Sequence, residues 1–498
     1  MPFKPLKRLR ALLIPLGLFL LFPAVAGGEE QIRRAHLDRT TDAEIVSLGG
    51  RIFVNRGLVG TGRLPADTID FLGDTLGSFS SLQIAPGSWK RVDDHYEAIL
   101  WTLPDRGRND PDAKLFFDYP ARLERMRLRF VPGAGGHREG RLDLVPDGGL
   151  ELRDFRGKPF TGADPGEGTV KQRGILLPAP ASGVGRGKVS LDAESLQFAR
   201  DGSFYVGDEY TANVYYFDAR GHLRGVIRPP AAIAPRKGRH PYFGSLKKPD
   251  TGRRNNQGPE GVSLSPDGRT LFVALQSALV QDSATGDAAG RINTRVLVYD
   301  VSTAPTPQRP VGHYVIRLPA YNDKGDGGPP NRTAAQSEIR AIDSHSFLML
   351  ARDGAGLGAA NDAPIVYKSI LLVDTGGATN LAGSIYETGA APLLENSAST
   401  MLPPHIVPAR WTEFVNMLNP EQLARFGLSV DALSEKWEAM DIVPALDLEH
   451  PADHFLLVGN DNDFITRRCL MSGEQCNSGL DNDNRILVYR ISLPNSSP

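Results

Sequence analysis

The chain has 498 residues, 41% of them hydrophobic, which is enough apolar mass for a large core. A formal net charge of −2 leaves no basic footprint, so nucleic-acid binding is excluded as the main role. The 53 glycines and 38 prolines suit an all-β chain with many turns better than a helical one.

At the N-terminus Lys4, Lys7, Arg8 and Arg10 precede an apolar run over residues 11–22, followed by the small residues Ala24, Val25 and Ala26. This is the pattern of a cleaved secretory signal peptide over residues 1–26, because the run is short of the ~20 residues needed to span a bilayer. Export to the periplasm or the medium is expected, with no stable membrane insertion. Residues 27–498 then form one domain. Strands are expected at 44–55 and 68–72, contributed to a closing blade that also takes the last strand, 485–491.

Five hairpins follow in order. The first joins 81–84 to 99–103 and ends at Asp105-Arg106-Gly107; charged alternating segments at 125–130 and 150–155 follow as outer strands. The second runs from Asp192-Ala193-Glu194 through a turn at Asp201-Gly202 to Asp208-Glu209, with outer strands at 213–217 and 223–227. In the third, Pro259-Glu260-Gly261 leads through Ser265-Pro266-Asp267-Gly268 to Gln276, with an Asp-Gly step suited to a tight turn. The fourth joins Ser337-Glu338 to Arg352-Asp353, with outer strands at 369–374 and 382–387. The fifth joins Glu438 to Asp461 and Asp463. Repeated four-stranded units at long period predict an all-β fold, a β-propeller of five or six blades. Residues 408–437 carry helical periodicity, with Trp411, Phe414, Val415, Leu418, Leu423 and Phe426 as the apolar set, and predict a short helical insertion. Cys469 and Cys476, the only cysteines, sit in a polar insertion and are expected to form a local disulfide.

In an antiparallel hairpin the residue entering the first strand meets the residue leaving the second. All five open ends therefore gather on one face, bringing together Glu194, Asp208, Glu209, Glu260, Glu338, Asp353, Glu438, Asp461 and Asp463, with Arg106 and Arg352 among them. Two carboxylates ~4 Å apart repel by about 4 kcal/mol at an effective dielectric near 20, so the ring needs compensation. A divalent metal held by Glu194, Glu209, Glu260, Glu338, Asp353 and Asp461 is one remedy, and the oxygen-only donors favour calcium or magnesium over zinc. Arginine balance and raised carboxyl pKa values are the others. Each glutamate acting only as a hairpin cap remains open beside them.

Asp208-Glu209-Tyr210 with residues 214–221, Gly258-Pro259-Glu260-Gly261 through Ser265-Pro266-Asp267-Gly268, and Asp105-Arg106-Gly107 together resemble the phytase-like propeller family, often labelled esterase-like activity of phytase. The resemblance runs from about residue 81 to 491. It implies a propeller and a possible hydrolase of a phosphoester or carboxyl ester, acting on a small anionic or ester substrate. Arg106, Arg352 and Asp208 are the expected catalytic groups, the arginines holding an anionic group beside a metal-bound water; calcium is the expected ion. A non-catalytic propeller that binds a ligand or protein, and a propeller lactonase, are the alternatives.

Overall fold

The computed structural model describes residues 31–110, 113–133, 140–284 and 288–494, so the signal peptide expected over residues 1–26 lies outside the described residues. Within them the strands form five antiparallel four-stranded units. The first is Ser81–Ile84, His95–Leu103, Arg122–Val131 and Arg141–Glu151. The second is Ala193–Phe198, Phe204–Asp208, Val214–Phe217 and Leu223–Ile227, and the third Pro259–Leu264, Thr270–Leu275, Asn293–Asp300 and Gly312–Arg317. Ala335–Ala341, Ser346–Arg352, Lys368–Asp374 and Arg410–Asn416 make the fourth. In the fifth, Lys436–Pro444, Asp453–Asp461 and Asn484–Ser492 are completed by Arg51–Leu64 from the other end of the chain. The protein is a five-bladed β-propeller whose ring is shut by its N-terminal strand, as expected. A short parallel bridge, Thr61 with Arg141 and Gly62 with Leu142, also joins the outer strands of blades five and one.

Five apolar clusters fill the seams between adjacent blades. Phe53, Leu350, Phe414, Trp437 and Leu487 pack between blades four and five, and Phe79, Leu100, Phe130 and Val488 between five and one. Leu103, Phe204 and Phe217 lie between one and two, Tyr205 and Val273 between two and three, and Phe272, Met349 and Phe347 between three and four. Strands buried on both faces need apolar residues at successive positions, which is why the inner and middle strands read as continuous hydrophobic runs. Each fully buried Leu, Val or Phe contributes about 1.5–3 kcal/mol relative to exposure.

Five segments differ from expectation. The strand expected at 44–55 is a hairpin, Glu44–Leu48 with Arg51–Leu64, whose second strand shuts the ring, and the outer strand expected at 150–155 is Arg141–Glu151. Residues 410–416 are the outer strand of blade four, and helix is confined to Pro420–Ala424 and a 3-10 turn, Val430–Ala432. Trp411 packs toward the seam of blades three and four and Phe414 toward that of four and five, so their i,i+3 spacing reflects two faces of a bulged strand. Residues 382–387 were expected to be that outer strand; instead Ser384 caps a one-turn helix, Ile385–Thr388, by accepting from Tyr386 N. Residues 68–72 form a turn linked by the single bridge Ile69 to Thr75. Cys469 and Cys476 are disulfide-bonded, with Cα atoms 4.7 Å apart, and pin a small hairpin beside the channel mouth.

Candidate functional site

Four inner hairpins carry a β-bulge at the same place. The register slips at Glu194 in blade two, Glu260 in blade three, Ser337 in blade four and Glu438 in blade five. A bulge adds one unpaired residue and re-aims its side chain. Glu194, Glu260 and Glu438 consequently line one cavity of about 810 Å³ at the channel mouth, together with Asp105, Arg106, Arg352, Lys436 and Asp463.

The bulge also corrects the expected ring. Ser337, not Glu338, is the counterpart of Glu194 and Glu260, and Arg352 Nε donates to Ser337 Oγ at 3.1 Å. Glu338 is one residue further along, and a one-residue step reverses the face. It lies deeper on the axis, accepting from Ser81 Oγ at 2.6 Å and pairing with Arg340 at 2.9 Å. Burial pushes the Glu338 carboxyl up to about 8 despite that arginine.

Two further carboxylates expected in the ring face away from the cavity. Asp208 accepts from the backbone N–H groups of Asp192, Tyr210 and Thr211 and from the Thr211 hydroxyl, which fixes the loop after its strand. Burial raises its pKa to about 6 against those hydrogen bonds. Asp353 accepts from Val366 N at 2.6 Å, Tyr367 N at 2.8 Å and Lys368 Nζ at 2.8 Å. Both are latches of the Asx type, saturated by local donors.

The remaining expected residues converge. Arg106 donates to Asp192 Oδ2 at 2.6 Å and to Asn256 Oδ1, and its Nε has no partner. Arg352 donates through its other nitrogens to the Asp353 carbonyl and to Glu438 Oε1. Both guanidinium groups are thus spent largely on holding the protein's own carboxylates. Glu260 Oε1 accepts from Gln276 Nε2 at 2.9 Å, the open-end pair expected of that hairpin. Glu209 Oε1 accepts from Gly258 N at 2.7 Å, an approach that only glycine permits, since a Cβ at 258 would stand 2.8 Å from Glu209 Cα. Asp461 accepts from Ser80 Oγ at 3.0 Å and Asp463 N at 2.6 Å.

Asp105 and Asp192 complete the cluster and were not among the expected site residues. They flank the hairpins on loops, where strand pairing gives no position, and the only sequence signal was their place in the Asp105-Arg106-Gly107 and Asp192-Ala193-Glu194 stretches. Asp105, Asp192 and Glu194 each offer an oxygen within 4.8 Å of the others, and so do Asp105, Asp461 and Asp463. Asp192 Oδ1, Glu209 Oε2 and Glu260 Oε2 are buried without a hydrogen-bond partner. Burial, then neighbouring carboxylates, hold Asp105, Glu194 and Glu260 well above the usual carboxylate range, and burial takes Asp192 to about 7 against the pull of Arg106. Arg108, further out on the wall, makes no ion pair among the described residues.

The family model described as phytase-like, esterase-like activity of phytase, matches residues 76–464. The chain belongs to the phytase-like family. A secreted protein of Arthroderma benhamiae, itself uncharacterized, is 32% identical over 461 residues, covering 84% of this chain and 89% of that protein. Among solved structures, the major Malassezia sympodialis allergen Mala s 1 is 11% identical over 92% of each chain with a TM-score of 0.29. A GH43 β-1,3-galactosidase with galactodeoxynojirimycin is 9% identical, covering 86% of this chain and 94% of that one, with a TM-score of 0.33. No helix among the described residues of this phytase-like protein is long and apolar enough to cross a membrane.

Proposed function

We propose that this phytase-like protein is an exported, metal-dependent hydrolase of a phosphoester or carboxyl ester, with the mouth cavity as its active site. The observation that carries the reading is the Asp105, Asp192 and Glu194 cluster, in which Asp192 Oδ1 is buried without a partner. Such an oxygen is costly unless something donates to it or binds it. An all-carboxylate donor set fits a hard divalent cation, calcium foremost. Bound there, the cation would polarise an ester or phosphoryl oxygen and lower the pKa of a water.

The protein's own residues divide the remaining work. Arg106 and Arg352 orient Asp192 and Glu438 and offset part of the acidic charge. Arg108, on the cavity wall, would supply a cation to meet the anionic part of a substrate. Glu209 and Glu260 border the site with oxygens able to accept or hold a proton. Export supports a role on substrates outside the cytoplasm, with cleavage after Ala26 and residence in the periplasm or medium.

The reading is tested with chelator-stripped protein, assayed against nitrophenyl phosphate and nitrophenyl acetate with and without added calcium. Hydrolysis of one of them that depends on calcium and is lost in Glu194→Gln is the expected result. Absence of hydrolysis under every condition would leave a ligand-binding propeller as the better description.

A further inference from the structure

The two carboxylate groups at the mouth share Asp105 but are not filled alike. On one side Asp192 gives Oδ2 to Arg106 and leaves Oδ1 without a partner, although the residue is only 1% exposed. On the other side the Lys436 ammonium already stands against Asp463 Oδ1 at 2.6 Å. There Asp461 is also satisfied, Oδ2 by the Ser80 hydroxyl and Oδ1 by the Asp463 N–H. An ammonium is a compact point charge with three donors, so from its contact with Asp463 it offsets the neighbouring carboxylates much as an ion would.

We propose that the mouth is a mixed cation centre: one divalent ion sits among Asp105, Asp192 and Glu194, and Lys436 is the permanent second cation among Asp105, Asp461 and Asp463. This deepens the reading above and rests on its premise that the mouth takes a divalent cation. Lys436 is held for this role by the fold. It opens the first strand of blade five, paired with Asp461, so its side chain leaves the sheet at the mouth beside Glu438. Its function is to fix the number of metal ions at one and to hold the shared Asp105 between two positive charges. A lysine in that place cannot be removed by a chelator, so half of the centre stays assembled when metal is scarce.

The full chain without its signal peptide, stripped with chelator, is titrated with manganous ion, and free and bound ion are counted by electron paramagnetic resonance. The wild type is expected to bind one ion per chain and Glu194→Gln none. Lys436→Met, which keeps an unbranched side chain one atom shorter and removes its charge, is expected to bind two. Because Asp105 is shared, that second ion should bring the signature of a spin-coupled manganese pair. Lys436→Gln serves the same purpose if Lys436→Met does not fold. Two ions in the wild type, one ion in both folded Lys436 variants, or one ion retained by Glu194→Gln would each overturn the proposal. So would a wild type that binds none. One bound ion with no hydrolysis of any ester leaves the mixed centre standing and removes the hydrolase reading instead.

Discussion

Two buried charge clusters lie along the propeller axis, one residue apart in strand register, and they are built to opposite ends. At the waist, Arg340 reaches every blade. It donates to the carbonyls of Leu82, Leu196, Val262 and Ile339, which belong to blades one to four, and pairs with Asp441 of blade five at 3.6 Å. Glu338 closes the set through Arg340 and Ser81, and Asp441 also accepts from Ile84 N at 2.8 Å. In and just behind the mouth lining, Asp105, Asp192, Glu194, Glu209, Glu260, Glu438, Asp461 and Asp463 outnumber Arg106, Arg352 and Lys436, and three buried oxygens have no donor. At the waist each carboxylate finds donors within the chain, and that holds the ring together. Charge left in excess beside an open cavity asks for something from outside.

Removing the waist cation should break this comparison most severely. Arg340→Met leaves Glu338 and Asp441 buried without their partner, and losing one member of a buried pair costs about 3–5 kcal/mol. Urea unfolding should show that loss equally in calcium and in chelator, because the proposed ion lies at the mouth. A loss that appeared only in calcium would mean that the two clusters are one unit.

The pH dependence sharpens the same contrast. Asp208, Asp192 and Glu338 have folded pKa values raised to about 6, 7 and 8, so the folded state binds protons more tightly than the unfolded chain. Their contribution is full below the unfolded carboxyl range and is lost as pH rises through 6 to 8. In chelator the melting temperature should therefore fall between pH 5 and pH 8. Calcium should flatten the part due to Asp192 and leave the part due to Glu338. A melting temperature that rises over that interval in chelator would contradict the assignment.

A smaller effect is expected at the rim. Arg108→Ala should raise KM several-fold for a phosphate ester and leave that for a neutral acyl ester nearly unchanged, since the role proposed for Arg108 is to meet an anionic group. Equal changes for both substrates would remove Arg108 from substrate binding.

Much of this contrast is legible in the sequence. Hairpin turns such as Ser265-Pro266-Asp267-Gly268 fixed the blades, and antiparallel pairing put Glu194, Glu260 and Arg352 at one mouth. What pairing could not supply was the bulge, which exchanges Ser337 for Glu338 and so separates mouth from waist. Residues on loops, such as Asp105 and Asp192, escaped for a related reason: their position depends on chain path between blades. Residues 410–416 lie in the stretch, 408–437, whose spacing predicts helix, because a bulged strand that packs against two neighbouring blades spaces Trp411 and Phe414 as a helix does.

The central claim, that the mouth and not the waist binds a divalent cation, is tested most directly by thermal unfolding of chelator-stripped wild type and Glu194→Gln with and without calcium. Calcium at a hundredfold excess over Kd should stabilise the wild type by about 2.7 kcal/mol and leave Glu194→Gln unmoved. The same calcium shift in both proteins, or none in the wild type, would contradict the account.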